Sequence, residues 1–368
     1  MSPKKILVLN YEFPPLGGGA GNATFYLLKE FSKIKNIEID LVTSSTNEFK
    51  IKQFAPNIKI HFLDIGKGGN LHYQSNKDLL NYSWKAYWYS KGLIKEKQFN
   101  LCHAFFGIPC GYIAMKLKIP YIVSLRGSDV PFYNKRFYWL DKFIFKNLSR
   151  KIWKKSKATI TNSQGLKELA LESSPNQKIE MIFNGVDVEE FKPLKNKKQN
   201  KQLTLISTGR LIERKGYQYL IPAIKNLNVK LQLIGDGNLT DELKDLSKGL
   251  DVEFLGKKNH KDLIKDLQKA DIFILPSLNE GMSNSILEAM ACELPIITTD
   301  TGGSKELIKG NGFIVEKESI DDLKKVLKKY QKDKTLIKKQ GEISRKIAEK
   351  MSWKNVAGAY RGVYDELA

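Results

Sequence analysis

Residues 275–288, LPSLNEGMSNSILE, put Glu280 in a glycine-containing turn, Ser283 and Asn284 at the start of a helix, and Glu288 eight residues beyond the first carboxylate. Just upstream, DIFIL (271–275) is the short apolar run of a buried strand, while Ile286, Leu287 and Met290 downstream share one helical face. The unit reads strand, turn, helix N-terminus. Such a helix start offers unpaired N–H groups and a positive dipole end, a natural seat for phosphate. Carboxylates at Glu280 and Glu288 on either side of that seat suit the hydroxyls of a sugar or a ribose.

The same alternation extends in both directions. Residues 5–10 form a strand, followed by a turn carrying Gly17, Gly18, Gly19 and Gly21 and a helix over 23–32. Further strands are expected at 38–43, 58–63, 101–104, 121–125 and 158–161, with helices between most of them. A Lys/Asn-rich stretch, 195–202, follows Pro193 and has the composition of a linker. A second series places strands at 203–208, 230–234, 252–254, 272–275, 295–298 and 312–315. Residues 320–349 read as a Lys-rich amphipathic helix broken near Asp333 and Gly341, and 353–367 as a last helix. The class is α/β: two doubly wound, Rossmann-like halves with a cleft between them.

With 368 residues the chain can bury two cores, and 42% hydrophobic with 27% charged residues is a globular composition. No apolar run approaches the length of a membrane span, and the N-terminus enters a strand too soon for a secretory signal. Cys102, Cys110 and Cys292 have neither metal-site nor disulfide-framework spacing, which favours a cytoplasmic location. His61, His72 and His260 lack partners at ligand spacing, so no metal site is expected.

The net charge is +21, much of it lysine spread over solvated faces. One segment concentrates it: from Phe132 to Lys157 there are nine Lys/Arg, one acidic residue (Asp141) and eight aromatics, among them Tyr138, Trp139, Phe143, Phe145 and Trp153. Interleaved basic and aromatic side chains suit an anionic membrane surface, and equally a helix with an aromatic core face and a basic outer face.

Two glycine-bearing turns carry candidate chemistry. The N-terminal glycines do not form the dinucleotide fingerprint, and no Gly-Lys-Ser/Thr of a P-loop follows them. They still permit close backbone approach by a ligand. Residues 207–216, STGRLIERKG, end a strand in a turn bearing Arg210, Arg214 and Lys215. Arginine's planar fork and lysine's point charge both suit diphosphate oxygens at the C-terminal edge of a sheet, although a solvated basic loop would look the same. The chain has no Asp-x-Asp pair to carry a divalent metal.

Taken together, Arg210 with Lys215, Gly235-Asp236-Gly237, Glu280 and Glu288 in EGMSNSILEAM, Asn184-Gly-Val-Asp187, Gly302-Gly303 and YEFPPLGGG ending at Gly19 resemble the retaining GT-B glycosyltransferases of family GT4. The likeness spans nearly the whole chain. It implies an N-terminal acceptor domain (1–190), a linker (191–202), a nucleotide-sugar donor domain (203–350) and a C-terminal helix (351–368) returning to the first domain. It further implies transfer of a sugar from a nucleotide diphosphate-sugar to an acceptor hydroxyl with retention. No metal or other cofactor is expected, the nucleotide sugar being a co-substrate.

Carried onto this chain, the resemblance gives Arg210 and Lys215 the donor diphosphate and Glu280 the transferred sugar. Gly209, Gly235, Gly281, Met282, Ser283 and Asn284 would present backbone to the donor, Glu288 would hold the ribose, and Gly17, Gly18 and Gly19 would approach the phosphates. Many relatives carry a histidine where this chain has Arg126, in SLRGSDV (124–130). Arginine cannot act as a base but can donate hydrogen bonds. Arg126 is therefore expected as a donor or acceptor clamp, counted with Arg210, Lys215 and Glu280 as catalytic, and Asp129 as the orienter of its loop. His103, at another strand end, is a further candidate substrate contact, though a packed histidine is the commoner outcome there.

The expected partners are a nucleotide-sugar donor, a glycan or lipid-linked acceptor, and an anionic membrane surface at the segment from Phe132 to Lys157. The location is then the inner membrane face, in cell-surface glycan or glycolipid assembly. Two competing readings are a nucleotide-sugar epimerase on the same scaffold, which needs no acceptor, and a nucleic-acid binder motivated by charge alone; no specific nucleic acid is expected.

Overall fold

The computed structural model describes residues 3–68, 71, 74–134, 138–197 and 200–368. His72 and positions 135–137 of the basic aromatic segment lie outside the described residues.

The chain divides into two compact units, residues 1–184 with 353–368, and residues 185–352. In the first, the strands are β1 (Lys4–Leu9), β2 (Ile37–Ser45), β3 (Lys50–Ala55), β4 (Ile58–Asp64), β5 (Leu101–Phe105), β6 (Tyr121–Leu125), β7 (Ala158–Thr161) and β8 (Ile179–Met181). Among the described residues they form one eight-stranded sheet in the order β3-β4-β2-β1-β5-β6-β7-β8. All neighbours are parallel except β3, which runs antiparallel to β4. Parallel strands are covered on both faces and so read as apolar runs, as ILVL (6–9) does in β1 after its two half-buried lysines.

β3 was not expected, nor was β8. In KIKQFA the lysines alternate with apolar residues and the strand lies exposed at the sheet edge, where Lys50 and Lys52 discourage further pairing. β8 has only three residues.

Helix Asn76–Glu96 is fixed at its start by a reciprocal cap, in which Ser75 accepts from the Asp78 N–H and Asp78 from the Ser75 N–H. It packs on helix Tyr112–Leu117, which in turn packs on helix Lys146–Lys155. Helix Gly19–Phe31 packs on the C-terminal helix Trp353–Leu367, with Tyr26 stacked on Trp353 at 5.9 Å and Phe31 on Tyr364 at 5.5 Å. The basic aromatic segment splits rather than interleaving on one face. Trp153 is fully buried, whereas Trp139 and Phe143 are 67% and 65% exposed.

In the second unit the strands are β9 (Leu203–Thr208), β10 (Val229–Ile234), β11 (Val252–Gly256), β12 (Ile272–Leu275), β13 (Ile296–Thr299) and β14 (Gly312–Val315). Among the described residues they form an all-parallel six-stranded sheet, β11-β10-β9-β12-β13-β14. Its core includes Leu205, Leu231, Leu233, Ile272 and Ile274.

The Lys-rich C-terminal stretch breaks once, between helices Ile320–Lys332 and Thr335–Lys350, and Gly341 is not a second break. A Cβ there would come within 2.4 Å of the Glu293 carbonyl oxygen. This glycine therefore serves close packing of its helix against Asn284–Ala291 and its C-terminal turn, not helix termination.

Candidate active site

The C-terminal ends of β9, β10, β12 and β13 deliver four loops that are stitched together by backbone. Gly209 N–H donates to the Ile234 carbonyl (2.9 Å), Leu211 N–H to Asp236 (2.7 Å), Leu278 N–H to Arg214 (2.8 Å) and Gly303 N–H to Gly281 (3.0 Å). Two glycines make the close approach possible. Gly216 has φ +73° and a Cβ there would lie 2.0 Å from the Pro276 carbonyl oxygen; at Gly302 a Cβ would lie 2.2 Å from that of Glu280. The turn at 276–283 is thus held by its neighbours on both sides.

Within this frame Lys215 Nζ meets Glu280 Oε1 at 2.5 Å, and Ser277 Oγ donates to the same oxygen at 3.2 Å. Thr299 in turn holds the Ser277 carbonyl. Burial pushes the Glu280 carboxyl up, but the charge and hydrogen bond of Lys215, then Arg214 and Ser277, outweigh it and hold the group below its ordinary value. Glu280 is therefore a carboxylate at neutral pH, with Oε2 carrying no protein hydrogen bond among the described residues. Arg210 is exposed and takes no side-chain partner among the described residues.

Helix Asn284–Ala291 begins where the turn ends, with Ser283 at its N-cap; no side chain caps it, and Ser283 Oγ lies 3.0 Å from Ser285 Oγ instead. Met282 and Ser283 are buried. Glu288 sits on the same helix. Burial, and then the Glu190 charge, push its carboxyl up to about 8, and it has no hydrogen-bond partner among the described residues. The second unit thus brings Gly209, Lys215, Gly235, Glu280 and 281–284 to one sheet edge, with Glu288 on the adjoining helix.

In the first unit the Gly17–Gly19 turn opens helix Gly19–Phe31 directly, so the helix starts four residues earlier than expected. Glu12 Oε2 accepts from the Gly18 N–H at 3.1 Å, a contact the sequence reading missed. A Cβ at Gly18 would meet no atom of the described residues within 4 Å beyond its chain neighbours.

Arg126 donates to Asn184 Oδ1 (2.8 Å) and to the Tyr360 hydroxyl (3.2 Å), and its guanidinium lies 4.7 Å from the Phe105 ring centre. Asp129 is buried and accepts from the N–H groups of Gly107 (2.6 Å), Arg126 (2.9 Å) and Gly127 (2.9 Å). Burial still raises its carboxyl above the ordinary value, those backbone bonds acting against it.

His103 does not suit a substrate contact. Its ring is fully buried, with Nδ1 2.6 Å from the Tyr364 hydroxyl and Nε2 2.8 Å from Ser124 Oγ. Burial, aided by the Arg126 charge, holds its pKa well below the ordinary value, so the ring is neutral and structural.

Ser277 and Glu190 were also missed. Ser277 lies inside the opening stretch but carries no motif signal, and Glu190 is 98 positions from the helix residue whose carboxyl it perturbs.

Residues 17–190 match the family model described as Glycosyltransferase Family 4, and residues 188–347 match Glycosyl transferases group 1. An uncharacterized glycosyltransferase of Methanocaldococcus jannaschii is 27% identical over 376 residues, covering 99% of each chain. Sucrose-phosphate synthase from Thermosynechococcus elongatus superposes with a TM-score of 0.86 at 18% identity, over 99% of each chain. Anabaena HepE, solved in complex with UDP-glucose, gives a TM-score of 0.75 at 17% identity, over 99% of this chain and 100% of that one. The chain belongs to the GT4-type glycosyltransferases and has the GT-B fold. It is a glycosyltransferase.

Proposed function

We propose that the chain moves a sugar from a nucleoside diphosphate-sugar to an acceptor hydroxyl with retention and without a divalent metal. The observation that carries this reading is Lys215 paired with an ionised Glu280 beside an uncapped helix start. Breaking the anomeric C–O bond builds positive charge on the sugar and negative charge on the departing diphosphate. In this reading Lys215 and Arg210 meet the diphosphate, and the backbone of Gly281, Met282, Ser283 and Asn284 with the helix dipole adds fixed positive potential. Glu280 Oε2 takes a sugar hydroxyl, and its charge favours the developing cation. Glu288 accepts from the ribose hydroxyls. The acceptor oxygen bonds to the anomeric carbon as the diphosphate leaves, and the acceptor's proton passes to the departing oxygen. Lys215 thus supplies cationic charge that a metal ion would otherwise bring.

Arg126 would clamp substrate from the first unit, with Asp129 holding its loop, and Gly17–Gly19 would approach the phosphates. That Anabaena HepE was solved with UDP-glucose supports a nucleotide sugar as donor. A glycan or lipid-linked acceptor at the inner membrane face, in cell-surface glycan assembly, fits the exposed Tyr138, Trp139 and Phe143 with Lys142 lying 5.6 Å from the Trp139 ring centre.

The test is to incubate the chain and a chelator with UDP-, GDP- and ADP-sugars, with and without a membrane glycolipid extract. Nucleoside diphosphate release should require acceptor and survive the chelator, and the product should keep the donor's anomeric configuration by NMR. Donor consumption without acceptor would favour an epimerase. Activity lost to the chelator and restored by one divalent ion would contradict the metal-free mechanism.

A further inference from the structure

Helix Asn76–Glu96 turns an unusual face to solvent. Leu80, Trp84 and Trp88, spaced four apart and therefore in one stripe, are 70%, 66% and 53% exposed. An amphipathic helix ordinarily buries such a stripe and presents charge outward. Here Lys77 lies before it and Lys91 and Lys95 after it, all exposed, with the Lys91 ammonium 4.8 Å from the Trp88 ring centre. The helix has two acidic residues: Asp78, buried against Lys67, and Glu96 at its end. Beside it Phe49, 51% exposed, packs edge-on to Tyr89 of the same helix, and Ile51 is 55% exposed.

We propose that this stripe is an interfacial anchor that inserts Leu80, Trp84 and Trp88 into the headgroup region of an anionic bilayer. Three observations select that occupant. The rim is cationic, which suits acidic headgroups and opposes a second copy of this chain, since a two-fold contact would set the lysines against themselves. Leucine, isoleucine and phenylalanine accompany the tryptophans, the mixed aliphatic and aromatic surface that enters the boundary between headgroups and acyl chains. The stripe also shares a layer with helices Tyr112–Leu117 and Lys146–Lys155, and on that layer Lys116 lies 5.5 Å from the Tyr112 ring centre, a repeat of the lysine–aromatic pairing. The proposal rests on the membrane-face reading above and adds to it a second anchor on separate residues.

The test measures co-sedimentation of the full chain with phosphatidylcholine vesicles, with and without phosphatidylglycerol, for wild type, Trp84→Gln/Trp88→Gln and Trp139→Gln/Phe143→Gln. Wild type should partition to the anionic vesicles. Trp84→Gln/Trp88→Gln should lower that partition about tenfold with an unchanged melting temperature, and brominated lipid should quench wild-type tryptophan fluorescence more than that of the variant. Unchanged partition in Trp84→Gln/Trp88→Gln, with loss only in Trp139→Gln/Phe143→Gln, removes this anchor and leaves the earlier reading standing. No binding by wild type removes both. Dimerisation that Trp84→Gln/Trp88→Gln abolishes would assign the stripe to self-association instead.

Discussion

Lys215→Ala is expected to lower turnover by about 100- to 1,000-fold, the usual cost of removing one preorganised group aimed at charge that develops in the transition state. The fold should survive, because the backbone bonds joining the four loops do not involve the lysine side chain. A second consequence separates this role from a merely structural one. Burial pushes the Glu280 carboxyl up and Lys215 is the largest influence holding it down. Without that ammonium the carboxyl should titrate at higher pH, so the residual activity of the variant should fall off on the acid side at a higher pH than in wild type. Steady-state rates across roughly pH 5–9 check both points. Wild-type turnover in the variant would overturn the assignment of Lys215.

Glu288→Gln should act in opposite senses on stability and on donor binding. The folded chain holds the Glu288 proton up to about 8, against an ordinary value of 4.5. Between those values the folded state binds more protons than the unfolded state, so this group lowers stability as pH rises through the window, and the cost is complete above it. Glutamine has no proton to lose. The variant should therefore melt about 2–4 °C higher than wild type above the window, and no higher at a pH below both values. Donor binding should suffer, because an ionised carboxylate can accept from two ribose hydroxyls and an amide oxygen offers a weaker, neutral acceptor. Loss of a charged hydrogen bond corresponds to about 10- to 100-fold in affinity. Wild-type affinity should also rise with pH through the same window, as donor binding expels the proton. Equal melting temperatures at all pH values would show that Glu288 is not strained in the free enzyme.

How much of this was legible in the sequence depends on where each signal resides. β12 declared itself because a doubly covered parallel strand tends to be continuously apolar, as IFIL is, and β9 because Leu203, Leu205 and Ile206 fall within a short β-branched run. The helix start at Ser283 followed from the turn glycine and the apolar face beyond it. β3 was hidden because an edge strand spends its alternate positions on lysine. Gly341 was misread as a helix break because a glycine demanded by a neighbouring backbone looks, in one dimension, like one that ends a helix. For His103 and Trp153 the residue types left a packed and a functional reading side by side, and burial selects the packed one for both.

The candidate site shows the same division. Glu280 and Lys215 were each legible as members of local turns, but their contact spans 65 positions and only the folded sheet edge creates it. Ser277 and Glu12 lie inside stretches the sequence singles out, but their supporting roles were not legible there, since a hydroxyl and a carboxylate holding a neighbouring group need only the right distance.

The loop bearing Lys215 and the helix start at Ser283 are expected to hold a diphosphate between them. Calorimetric titration of a nucleoside diphosphate against its monophosphate, in wild type and Lys215→Ala, tests it most directly. Wild type should bind the diphosphate at least about tenfold more tightly, the worth of one charge-assisted hydrogen bond, and Lys215→Ala should lose most of that increment while its monophosphate affinity changes little. Equal affinity for the two nucleotides in wild type, or an increment unchanged in the variant, would contradict it.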